Sequence, residues 1–145
     1  MSLPASIVLP KTREGETVRR YALGQSDASY FAKDAEPIFS EGMVFDGVLF
    51  KLAGRDNILP LVEDFVRQKL SDVRFEAIVE AGSKSRYMAL YSVCLEGMEG
   101  RLTICDLLML NGEGLICRLE NCFDASKCPK EIVDAGAATI AAFNA

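Results

Sequence analysis

Polar and apolar positions alternate along the second half of the chain, in runs separated by short turn signals. Val73 to Ala81 alternates, Tyr87 to Glu96 follows, and two further runs flank Asn111-Gly112-Glu113-Gly114. Period-two alternation predicts strands, and Asn-Gly between apolar runs predicts a tight hairpin, because both residues accept the positive φ that such a turn needs. Gly82-Ser83-Lys84 and Gly97-Met98-Glu99-Gly100 mark the other two turns. In Leu102–Leu110 one parity gives Leu102, Ile104, Asp106, Leu108 and Leu110; the other gives Thr103, Cys105, Leu107 and Met109. Asp106 stands alone in the middle of an apolar face.

The first half reads mainly as helix. Residues 1–13 form an extended lead-in, with Ile7-Val8-Leu9 as an edge strand. From Gly15 to Gln25, Val18, Tyr21 and Ala22 recur at helical spacing opposite Arg19 and Arg20. Ser26 or Asp27 caps a short helix, Ala28 to Ala35, with Tyr30 and Phe31 inward and Pro37 beyond its end. Ile38 to Leu52 is β-rich, broken at Gly42 and Gly47. The longest helix runs from Ile58 to Leu70. Its apolar stripe is Ile58, Leu61, Val62, Phe65, Val66 and Leu70, its cap candidates are Asp56 and Asn57, and Pro60 belongs in or near its first turn. Pro129 opens a C-terminal helix with Ile132, Val133, Ala137, Ile140 and Phe143 on one face.

Helices gathered on one face of a curved antiparallel sheet make an α+β fold. The expected division is an N-terminal extension (1–13), one α+β domain (14–125) and a C-terminal, helical extension (126–145). Because both faces of Leu102–Leu110 are apolar, a second copy of the chain is expected to cover the outer one, giving a homodimer.

At 145 residues, half of them hydrophobic and a quarter charged, the chain suits a single globular domain. A net charge of −5 argues against nucleic acid and anionic membranes as partners, since both call for a basic face. No apolar run approaches the roughly 20 residues of a membrane span, and the N-terminus, broken by Pro4 and Pro10, does not resemble a signal peptide. The five cysteines form no C-x-x-C pair, so reduced thiols in a cytoplasmic protein are expected. There is no histidine. That excludes His-based metal sites, His-dependent nucleophiles and His acid–base catalysis, leaving proton transfer to carboxylates, Tyr, Lys or Cys. Neither cofactor nor metal is expected.

Two segments carry a resemblance. Glu41-Gly42-Met43-Val44-Phe45-Asp46, continuing through Leu52-Ala53-Gly54-Arg55-Asp56-Asn57-Ile58, and the hairpin from Asp106 to Phe123, together with the order of elements, resemble the nuclear transport factor 2-like (cystatin-like α+β) superfamily. This includes SnoaL-like proteins and ketosteroid isomerases. The resemblance covers about residues 14–125 and implies a cone: the sheet curls around the helices and leaves an apolar pocket at one end. It further implies an isomerase-like constellation, with Asp46 as the base and with Tyr21 and Asp106 as hydrogen-bond donors to a substrate carbonyl. Phe65, Leu108, Leu119 and Asn121 are expected to contact the ligand.

The chemistry is coherent in itself. A carboxyl among Ile104, Leu108 and Leu110 is desolvated, its pKa rises, and in neutral form it donates. Preorganised donors in an apolar site stabilise developing negative charge, and Asp46 beside Gly47 would stay ionised. Plainer readings stand beside these: Asp106 as a carboxylate bonded within the sheet, Tyr21 as a core aromatic, Asp46 as a turn residue, Asn121 as a structural amide. Epoxide-hydrolase relatives have Arg two positions before the strand Asp, where this chain has Ile104, and scytalone-dehydratase relatives rely on histidine. Three functions therefore fit: a cofactor-independent isomerase or cyclase acting on a hydrophobic carbonyl compound, a non-catalytic binder of a small hydrophobic ligand, and a dimeric assembly domain.

Overall fold

The first helix is specified locally. Thr12 accepts the Gly15 N–H at 3.0 Å, closing the N-terminus of α1 (Arg13–Gly24), whose first turn carries Glu14 and Glu16. A cap of this kind contributes about 1 kcal/mol, and acidic residues complement the helix dipole. Val18, Tyr21 and Ala22 are buried, as their spacing predicts. This is a computed structural model, and it describes residues 2–145.

Next comes a 3-10 turn over Ala28–Phe31, with Asp27 accepting from Ser29; it is shorter than the predicted helix. Ile7-Val8-Leu9 forms no strand; Ile7 and Leu9 pack against the core while Val8 is exposed. β1 (Phe39–Asp46) and β2 (Lys51–Ala53) form an antiparallel pair, and the register of β1 on its other neighbour slips around Gly42. α2 (Arg55–Lys69) begins three residues before its predicted start. Gly54, at φ 91°, makes the turn into it with no side-chain cap, so Asp56 and Asn57 lie inside the first turn. Pro60 is the sixth residue of the helix, on its exposed side.

Four strands follow: β3 (Leu70–Glu80), β4 (Arg86–Leu95), β5 (Leu102–Leu110) and β6 (Ile116–Cys122). The sheet order is β2-β1-β6-β5-β4-β3, and every pairing is antiparallel except β1 with β6. A mixed sheet thus replaces the expected antiparallel one, because β1 joins the meander at its last strand. The concave face of the sheet, α1 and α2 enclose the core, where Val18, Phe39, Met43, Ile58, Leu108 and Leu119 are fully buried.

The C-terminal helix α3 (Lys130–Asn144) packs across the loop between β1 and β2. Ile132 joins Leu49 and Leu95 in a small second core. A side chain at Gly136 would collide with the Leu49 carbonyl, and Thr139 accepts the Lys51 N–H at 3.2 Å. Close approach at Gly136 therefore sets the packed face as Ile132, Gly136, Thr139 and Ile140. Val133 and Phe143, expected inward, are exposed. Among the described residues no helix is long and apolar enough to cross a membrane.

Candidate functional site

Three elements meet at one oxygen. Asp106 sits mid-strand in β5 and is fully buried. Its Oδ2 accepts the Tyr21 hydroxyl of α1 at 2.6 Å and the Tyr91 hydroxyl of β4 at 2.7 Å. Its Oδ1 is buried without a partner. Burial pushes the Asp106 pKa up to about 6, against the two phenol hydrogen bonds, which favour the charged form. The Tyr21 and Tyr91 hydroxyls are in turn raised well above their ordinary value, first by burial and then by the Asp106 charge.

An apolar cavity lies in front of this trio. Phe45, Phe50, Phe65 and Phe123 contribute to its wall, Tyr21, Tyr91, Gln25 and Asn121 supply its polar edges, and Ile104 extends the face of β5. Its volume is about 60 Å³. Asp106 itself does not line the cavity. Its neighbours on the same face do: Ile104 two residues back and Asn121 directly opposite on β6. Tyr21 and Tyr91 thus stand between the carboxyl and the cavity.

Asn121 is held from behind, its Oδ1 accepting the Val48 N–H at 2.9 Å. Phe65 faces the cavity from α2. Leu108 and Leu119, expected to contact a ligand, pair with each other across β5 and β6 and are sealed in the core away from it.

The structure does not bring Asp46 to this place. Phe45 points into the cavity, so strand alternation turns Asp46 to the opposite face of the sheet. There it pairs with Lys51 at 3.1 Å and Arg118 at 2.8 Å, while Arg118 also holds Glu120 at 2.9 Å. Tyr21 and Asp106 do meet, though not as two donors side by side: the phenol hydrogen goes to the carboxylate.

Tyr91 was not among the expected site residues. The signal for it was present in the alternation of Tyr87, Ala89, Tyr91 and Val93, all buried on the same face. Tyr91 pairs with Ile104, one step along that face from Asp106. Along β6, Leu119 and Asn121 face inward at alternate positions, and the alternation breaks at Cys117. A register shift beside Met109 and Leu110 makes Cys117 the extra residue, and Ile116 fills the core instead.

No family profile and no curated protein sequence matches the chain. Solved structures do match, over most of both chains. A steroid delta-isomerase from Pseudomonas aeruginosa superposes with a TM-score of 0.67 at 14% identity, covering 93% of this chain and 94% of that one. A bacterial protein with a cystatin-like fold from Silicibacter pomeroyi DSS-3 gives 0.62 at 21% identity, covering 87% and 83%. An LEH-like epoxide hydrolase from M. tuberculosis gives 0.61 at 12% identity, covering 92% and 98%. At these identities the likeness is one of fold.

Proposed function

For a chain with the cystatin-like, nuclear transport factor 2-like fold, we propose a cofactor-independent small-molecule site. The cavity holds a mainly apolar molecule with one oxygen function, and the Tyr21–Asp106–Tyr91 trio exchanges a proton with that oxygen. The observation that carries this reading is the buried Asp106, bonded by two phenols through one oxygen and unpartnered at the other. Most buried carboxyl oxygens in folded proteins have a hydrogen-bond partner, so the free Oδ1 marks this carboxyl out.

With Asp106 neutral, its hydrogen passes to a phenol oxygen while that phenol gives its own hydrogen to a ligand carbonyl. With Asp106 ionised, the same relay runs backward and takes a proton from an enol or alcohol. A pKa of about 6 suits both directions near neutral pH. A small enolisable hydrophobic ketone is the matching substrate class: the relay gives the carbonyl oxygen its proton while solvent water takes the one lost from the α-carbon, leaving the enol.

A second reading is a binder without catalysis. It is favoured by Asp46, whose ion pairs on the far face leave no second carboxylate beside the cavity. Proton exchange from an enolisable cyclic ketone into deuterated water separates the two. Exchange in the wild type that disappears in Asp106→Leu and persists in Asp46→Asn is the expected result. Equal rates in all three would remove the catalytic assignment, and saturable binding of phenol would then support the binder.

The proposed partner is a second copy of this chain. Val79 (53% exposed), Met88 (43% exposed) and Leu107 follow one another in register across β3, β4 and β5 on the outer face. Arg118 and Glu120 on β6 border them. An apolar stripe bordered by both charge signs is self-complementary in the way a two-fold interface requires.

A further inference from the structure

Asp106 is a buried carboxylate with no cation of its own. None of the ion pairs among the described residues includes it. Its hydrogen-bond partners are two neutral phenols, and Oδ1 has none. A carboxylate so placed has two ways to avoid an uncompensated charge: it takes a proton, or a cation comes to it from outside.

The cavity in front of it is built for the second. Phe45, Phe50, Phe65 and Phe123 stand with Tyr21 and Tyr91 around a small space, and aromatic faces attract cations most strongly where water is scarce. While Asp106 is ionised, both phenol hydrogens are committed to Oδ2, so the phenols offer only their oxygens. A neutral carbonyl finds no free hydroxyl hydrogen there. An ammonium group, with N–H donors and a positive charge, is complementary to both the phenol oxygens and the carboxylate behind them. The chain's net charge of −5 adds a weak general attraction for cations.

We propose that the cavity binds a small apolar amine as its ammonium ion, charge toward Tyr21, Tyr91 and Asp106 and hydrocarbon among the phenylalanines. This rests on the reading of the cavity as a small-molecule site. It adds a ligand class for the ionised form, and such an amine competes there with the neutral carbonyl compound.

The titratable groups facing Asp106 are Tyr21 from α1 and Tyr91 from β4. Asn121 on β6, Ile104 and Leu108 along β5, and Leu61, Val62, Phe65 and Val66 of α2 carry no charge there. The Cys105 thiol lies on the other face of β5. The pH dependence of amine binding is therefore that of Asp106.

The test measures binding of cyclohexylamine, cyclohexanol and cyclohexanone to the whole chain by calorimetry at pH 5 and pH 8. The amine remains protonated throughout. At pH 8 it is expected to bind about tenfold more tightly than the alcohol, the difference a charge-assisted hydrogen bond makes. At pH 5 that advantage should vanish. Asp106→Asn should lose the advantage at both pH values, with a near-ultraviolet circular dichroism spectrum matching wild type as the separate report that the fold around the cavity is intact. Amine binding no tighter than alcohol or ketone at pH 8 would overturn the proposal and leave the small-molecule site standing. An advantage that survives Asp106→Asn would overturn it too, and binding of none of the three would overturn both readings.

Discussion

Tyr21 and Asp106, 85 positions apart, are joined at 2.6 Å, and the bond fastens α1 to the middle of the sheet. It stabilises the charged form of the carboxylate that burial destabilises. Removing it with Tyr21→Phe should raise the Asp106 pKa above about 6, read from the carboxyl resonance in a pH titration. It should also lower folding stability by about 1.5–3 kcal/mol, the range for a hydrogen bond to a charged group. An unchanged pKa would mean that Tyr91 alone anchors the carboxylate.

Asp106 makes stability depend on pH in a direction opposite to most carboxylates. Its folded-state pKa, about 6, lies above the ordinary value of 3.8. The folded state therefore holds its proton where the unfolded state has lost it. The stabilisation is complete below the unfolded value and disappears as pH rises through about 6, a loss of about 3 kcal/mol across that interval. Urea unfolding at pH 4.5 and pH 7 should show wild type weakening with rising pH relative to Asp106→Asn, whose amide does not titrate. Parallel pH dependence in the two proteins would contradict the buried, neutralisable acid.

Gly136 and Gly42 form a matched pair for testing how α3 is held. A side chain at Gly136 meets the Leu49 carbonyl, whereas one at Gly42 meets nothing within 4 Å. Gly136→Ala should cost about 1–3 kcal/mol, as overpacking does, and should speed hydrogen exchange along residues 130–144. Gly42→Ala should leave that exchange unchanged.

The outer sheet face gives a prediction about assembly. Met88→Glu and Leu107→Glu place charges on facing positions of adjacent strands. Sedimentation should move from dimer to monomer in either variant, with the Asp106 titration unaltered. A wild type that sediments as a monomer at all concentrations would remove the partner proposal.

Much of this was legible in the chain. Alternation in 73–123 sets the four-strand meander, because a period of two must place one parity on the core. Helical spacing of Val18, Tyr21 and Ala22 buries that face of α1. The expectations that failed depend on information a local pattern lacks. Asp46 follows Phe45, and only the packing of β1 decides which of the two turns inward. The register shift that leaves Cys117 as an extra residue on β6 is likewise announced by neither strand.

Residue type and spacing along single stretches were enough for the α+β class, the lack of histidine chemistry, an unexplained Asp106 on an apolar face and a hairpin between β5 and β6, although that turn takes its positive φ at Gly114 rather than at Asn111 or Gly112. What Asp106 touches depends on residues far apart in the chain. Tyr21, Tyr91 and Asn121 come from three other elements, and the closing of the sheet around α1 brings them to one carboxyl. The same closing leaves Asp46 outside, held by Lys51 and Arg118.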